Sequence, residues 1–228
     1  MPTSRVHPST KCYKQGSLRW EVGMTSLAGD WYREVVEFAD RTPHAVQGFV
    51  ADAADLGIVA LAVLWLLVFW RARRAPARSM AVVLVGAVGV VAAYGLSEWA
   101  KTVVDAERPC RRFPDLRIIA HRCPPTGDWS FPSNHATIAG AFVTAVLFAS
   151  WRLGLWALPV ALLVAFSRVF VGVHYPHDVA AGLAVGAVVT AAMVVALARP
   201  ATTVMVSLRD RPLLSRLLTA EAQPVVTR

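Results

Sequence analysis

The residues able to do chemistry fall in three short segments. Lys101 and Arg108 stand seven positions apart in KTVVDAERP. Ser133, Asn134 and His135 close the run FPSNH. Ser167, Arg168, His174 and Asp178 lie in FSRVFVGVHYPHD, where an apolar run from Leu153 to Val173 carries one charge, Arg168. Ionisable groups beside a membrane segment are costly and point to function. Arginine presents a planar fork of donors matched to phosphate oxygens, and lysine a point charge. Together the named residues offer three cations, two histidines, two serine hydroxyls and a carboxylate four positions after a histidine. That equipment holds a tetrahedral oxyanion and transfers it. Each residue alone also has a plain structural reading, and a lone histidine at a helix end is more often structural than catalytic. The reading gains its weight from the set.

These side chains need a scaffold, and the composition names it. Of 228 residues, 56% are hydrophobic and 17% charged, against about 25% charged in a soluble domain. The mean hydropathy is +0.48. The fold class expected is an all-α polytopic membrane bundle of about five transmembrane helices, six if one more segment enters the bilayer. The net charge of +8 does not indicate nucleic acid, because the basic residues sit in short clusters between apolar runs. None of the three cysteines forms a CxxC, so no metal site is indicated. Cys110 and Cys123 share one polar loop. They pair if that loop faces an oxidising compartment and are otherwise two free thiols.

Residues 1–24 lack periodicity and are expected to be a disordered tail. Residues 25–50 place Trp31, Val35, Phe38 and Ala39 at helical spacing among acids and bases, the pattern of an amphipathic interfacial helix. The membrane domain is expected over 51–199, with spans near Ala53–Trp70, Met80–Leu96, Ala136–Trp151, Leu155–Val173 and Val179–Ala198, and a basic cytoplasmic tail over 200–228. Gly182 and Gly186 form a small-xxx-small face for close helix packing. The basic loop Arg71–Arg78 argues for the cytoplasmic side, which puts 101–134 and 174–178 on the extracytoplasmic face. The six Lys and Arg of 101–134 run against that rule, unless several serve a site. Glu98, one turn before Lys101, is positioned to pair with it.

The three segments resemble the signature of the type-2 phosphatidic acid phosphatase superfamily: K-x6-R-P, then P-S-G-H, then S-R-x5-H-x3-D. Here they read Lys101…Arg108-Pro109, Pro132-Ser133-Asn134-His135 and Ser167-Arg168…His174…Asp178. The match covers roughly 50–198. One departure, Asn134 where glycine is usual, leaves the catalytic side chains in place and bears on the backbone donors there. The resemblance implies roles. His174 attacks phosphorus and becomes a phosphohistidine. Asp178 orients it. His135 protonates the leaving oxygen and then activates water. Lys101, Arg108, Ser133, the Asn134 region and Arg168 hold the phosphate. It implies no metal and no cofactor. His121 and His177 have no role in the pattern.

The site sits at a membrane mouth, so the expected substrate is a lipid phosphate. A short chain of this kind looks most like bacterial undecaprenyl-diphosphatases, which implies conversion of undecaprenyl diphosphate to undecaprenyl phosphate. Phosphatidic acid and phosphatidylglycerol phosphate are the alternatives, since the motifs do not see the lipid tail. From another class, a non-enzymatic lipid-phosphate-binding or transport protein is disfavoured by the complete catalytic set. A vanadium haloperoxidase is disfavoured by length and hydropathy.

Overall fold

The computed structural model describes residues 18–120, 122–211 and 217–219, with side chains from Leu27 onward. Of the disordered tail expected over 1–24, residues 1–17 lie outside these residues and 18–24 are instead helical; His121 and most of the tail after Arg211 also lie outside. The described chain is helical, without strands: α1 (Leu18–Arg41), α2 (His44–Ala72), α3 (Ala77–Val104), the short α4 (Pro109–Arg112), α5 (Asn134–Ala149), α6 (Trp151–Phe170) and α7 (Pro176–Arg209). Among them α2, the α3 segment, α6 and α7 are long and apolar enough to cross a bilayer. The third expected span is α5, apolar but only 16 residues long. This is a polytopic helical bundle.

α5 packs on α2, α3, α6 and α7, and α7 runs along both α3 and α5. Buried alanines and valines fill the seams, for example Ala139, Val143, Ala157, Ala161 and Val164 between α5 and α6. The outer faces carry large apolar side chains in the open, Trp156 at 80% and Val91 at 72% exposure. In water such a surface would aggregate. Facing acyl chains, it costs nothing.

The small-residue face of α7 does what its spacing suggests. A Cβ on Gly186 would lie 2.1 Å from the Thr137 carbonyl oxygen, and one on Gly182 2.5 Å from that of Ser133. Both contacts are with the α5 backbone, so the helices must part to admit a side chain. Gly186→Val is expected to cost about 1–3 kcal/mol through overpacking. It should lower Tm. A purified variant with unchanged Tm would contradict the contact.

Two further boundaries differ from the sequence reading. The interfacial helix does not run to 50. It breaks at Thr42–Pro43, because proline lacks an N–H and pushes the preceding residue out of the α region. Residues 44–50 therefore begin α2. Gln47 joins the two helices by donating through Nε2 to the carbonyls of Ala39, Asp40 and Thr42 at 3.1, 3.3 and 3.0 Å. The buried stripe of α1 is Tyr32, Val36 and Ala39, while Trp31 and Phe38 stay more than half exposed. Finally, α7 continues through Pro200 to Arg209. There Arg209 closes the α2–α3 loop by donating to the carbonyls of Ala75 and Ala72.

Candidate active site

The turn between α6 and α7 sets up the centre. Gly172 has φ +87°, and a Cβ there would meet Ile118 at 2.5 Å, so the reversal needs glycine. Tyr32 of α1 holds the turn by donating its hydroxyl to the Gly172 carbonyl at 2.9 Å. The chain then passes His174 and enters α7 at Pro176. Asp178, in the first turn of α7, accepts the Tyr175 N–H on Oδ2 at 2.8 Å and the Ser130 hydroxyl on the same oxygen. A carboxylate at this position caps the helix and meets its positive end.

His174 is 3% exposed. Its Nδ1 lies 3.4 Å from Asp178 Oδ2. Its Nε2 lies 3.2 Å from Arg108 Nη1. Burial, together with the charges of Arg108 and Arg168, outweighs Asp178 and pushes the imidazole down to about 4. The ring is therefore neutral at physiological pH. With the proton on Nδ1, toward Asp178, the Nε2 lone pair points to the arginine side.

Arg108, just before α4, is 4% exposed. It donates from Nε to the Asp128 carbonyl and from Nη2 to Asp128 Oδ1, both at 2.8 Å, and from Nη1 to the Val173 carbonyl at 3.1 Å. Lys101, in the last turn of α3, lies 3.3 Å from Glu98 Oε1 and 3.6 Å from Asp128 Oδ1. Burial alone would raise the Asp128 carboxyl. The hydrogen bond and charge of Arg108, with Lys101, hold it below the usual carboxylate range.

The FPSNH segment is tied to this group through its backbone. The Phe131–Pro132 peptide is cis, and the Ser133 N–H donates to the Asp178 carbonyl at 3.1 Å. Ser133 caps α5, and its Oγ is buried without a protein partner, as is Arg168 Nε. Such orphan donors fit an anion. His135 stands apart from the others, its Nε2 3.2 Å from Asp55 Oδ1 of α2. Asn134 turns its side chain away to α3. It accepts from Ser97 Oγ at 2.8 Å and donates to Glu98 Oε1. The backbone of Asn134, at the start of α5, remains the part that a phosphate could meet.

The structure thus brings Lys101, Arg108, His174, Asp178 and the Ser133 backbone into one contact chain. It adds Asp55, Asp128 and Ser130 from outside the three motifs, and His177 from a position of the third motif that carries no role in the pattern; its Nε2 lies 3.2 Å from Asp178 Oδ1. Asp55 had a signal, being the one charge in the first apolar run. Asp128 and Ser130 sit in an aperiodic loop and had none. Glu98 does pair with Lys101. Cys110 and Cys123 form a disulfide, deciding between the two alternatives left open. Chemically, a neutral imidazole nitrogen beside a guanidinium, with an ammonium joined to that guanidinium through Asp128, can bind a tetrahedral anion and attack it.

Comparison with known proteins narrows the reading. The profile of the PAP2 superfamily matches residues 81–200. Decaprenylphosphoryl-5-phosphoribose phosphatase of Mycobacterium tuberculosis is 40% identical over 110 residues, covering 47% of this chain and 57% of that protein. Undecaprenyl-diphosphatase of Sulfolobus acidocaldarius is 35% identical over 123 residues, covering 53% and 54%. The chain therefore spans about half the length of these curated relatives. The crystal structure of a transmembrane PAP2 type phosphatidylglycerolphosphate phosphatase from Bacillus subtilis superposes with a TM-score of 0.57 at 18% identity, over 75% of this chain and 84% of that one. That likeness concerns the fold, and the profile concerns the motifs. Since the profile covers more than half of the 228 residues, the chain belongs to the PAP2 superfamily.

Proposed function

We propose that the protein is a lipid phosphatase that removes the terminal phosphate of a polyprenyl diphosphate through a phosphohistidine on His174. The observation that carries this reading is the setting of His174, with Asp178 on one ring nitrogen and Arg108 on the other. Nε2 attacks phosphorus, and the bond from phosphorus to the bridging oxygen breaks. His135 gives that oxygen its proton. In the second step His135 takes a proton from water, the water oxygen bonds to phosphorus, and the P–N bond breaks. Inorganic phosphate and neutral His174 are regenerated. Lys101, Arg108 and Arg168 offset charge on the equatorial oxygens, Ser133 Oγ and the Asn134 N–H donate hydrogen bonds, and Asp55 orients His135. These cations take the part a divalent metal plays elsewhere, so the reaction needs no metal. The disulfide between Cys110 and Cys123 supports an extracytoplasmic site, since such bonds persist in oxidising compartments.

A second reading is favoured by the M. tuberculosis relative, whose name specifies a phosphate on a polyprenyl-linked sugar. Phospholipid phosphates form a third group, in keeping with the solved neighbour. The deciding experiment measures phosphate release from undecaprenyl diphosphate, decaprenylphosphoryl-5-phosphoribose, phosphatidic acid and phosphatidylglycerol phosphate side by side, with EDTA present. The polyprenyl diphosphate is expected to turn over fastest, without loss to the chelator. Release from none of the four would overturn the enzyme reading. Repeating the assay with right-side-out and inverted vesicles places the site on one face.

A further inference from the structure

Three phosphate-binding cations would bind a phosphate dianion tightly, and tight binding serves the product as well as the transition state. The structure holds a carboxylate that bears on this problem. Asp128 Oδ1 lies 2.8 Å from Arg108 Nη2 and 3.6 Å from Lys101 Nζ. It is the acid that both of these buried cations share. No motif contains it, and its side chain is 40% exposed where theirs are 5% and 10%.

Asp128 does not ride on a free loop. Two residues on, the Ser130 N–H donates to the Ala106 carbonyl at 2.8 Å, and the Ser130 hydroxyl binds Asp178. Upstream, the disulfide ties Cys123 to Cys110, two residues after Arg108, and Arg111 donates to the Pro124 carbonyl. The backbone of this strap is thus pinned to the segment that carries Arg108. Even the Asp128 carbonyl is used, accepting Arg108 Nε. Arg108 would keep its place through that carbonyl and the Val173 carbonyl if the Asp128 carboxylate moved away. Positioning of Arg108 and neutralisation of its charge are therefore separable here, the first done by backbone acceptors and the second by a side chain.

We propose that Asp128 is a resident counter-ion that competes with phosphate for Arg108 and Lys101 and so hastens release of inorganic phosphate after turnover. The inference rests on the lipid phosphatase reading. An uncompensated buried cation is expensive. As phosphate departs, the carboxylate returns to the two cations and removes that cost. As phosphate enters, the exposed side of Asp128 lets its charge move into solvent. No bond forms or breaks in this exchange.

The test uses the purified full chain and Asp128→Asn, which keeps the shape and removes the charge. Inorganic phosphate is the probe, as a product inhibitor of whichever lipid phosphate the wild type hydrolyses. The expected result is a Ki for phosphate lowered about tenfold, the scale of one charged competitor lost, with KM lowered and kcat also reduced as release becomes limiting. A residue that merely positions Arg108 would give the opposite sign, with Ki and KM both raised. An unchanged or raised Ki in an active variant overturns the inference while leaving the phosphatase reading intact. A wild type that hydrolyses no lipid phosphate overturns both. Melting curves check folding, and Asp128→Ser, read by the same signs, replaces a variant that fails to fold.

Discussion

His174→Ala is expected to abolish phosphate release, with a loss of about 10,000-fold or more, the scale seen when a covalent nucleophile is removed. Nothing else in the contact chain can take its place. Asp178 is fully buried behind the ring, and it already accepts from Ser130 and Tyr175. Lys101 and Arg108 are hydrogen-bond donors that serve to hold the anion. His177 is near, but its ring nitrogen approaches Asp178 Oδ1, on the far oxygen from His174. Burial at His174 makes a stability effect foreseeable, so His174→Gln, nearer in volume and able to hydrogen-bond, is the companion variant. Both should lack acid-labile phosphoprotein after exposure to labelled substrate. Turnover within tenfold of wild type in either folded variant would sink the phosphohistidine mechanism.

His135→Gln should behave differently. General acid–base groups contribute about 100- to 10,000-fold, and in the proposed mechanism His135 serves twice. In the first step a diphosphate leaving group needs its proton less, because the departing lipid phosphate is itself stable as an anion. In the second step the proposed mechanism relies on His135 to take the proton from water. Asp55 lies beyond His135 and is mostly exposed, at 82% of its side chain. Dephosphorylation should therefore suffer more than phosphorylation. The expected outcome is slow steady-state release with phosphoprotein accumulating on His174, detected as a label that survives base and is lost in acid. Asp55→Asn should give a smaller loss of the same character, because it removes only the orienting partner of the ring. Release slowed without any accumulated phosphoprotein would reassign His135.

Much of this site was legible in the chain because its chemistry is local. His174 and Asp178 are four positions apart and share a helix start. Glu98 and Lys101 share a helix turn. Lys101 and Arg108 flank one helix end. Periodicity and hydropathy likewise located the five apolar helices. What escaped notice depends on tertiary contact. Asp55 meets His135 across 80 positions, and Ser130 meets Asp178 across 48, with no spacing rule to join them. The apolar spacing of Trp31, Val35, Phe38 and Ala39 marked α1 as amphipathic, but it did not show that Tyr32 and Val36 face the bundle while Trp31 and Phe38 stay outside. In a membrane protein large apolar residues are as content outside, and Tyr32 won the inner position through its hydroxyl contact with Gly172. Asn134 stood out as a departure from the family pattern. Only the fold shows that its side chain joins α5 to Ser97 and Glu98 on α3.

The shortness of α5 has a consequence for the lipid. Its 16 residues rise about 24 Å at 1.5 Å each, against a hydrocarbon core about 30 Å thick. If its far end lies level with the opposite boundary, Ser133 and His135 sit about 6 Å beneath the headgroup plane. A phosphate must then be drawn down from the surface, or the bilayer must thin around the bundle to deliver it. Either way the distance from headgroup to His174 is set partly by acyl-chain length. Turnover should rise in thin membranes and fall in thick ones, which would make membrane thickness a term in the rate law.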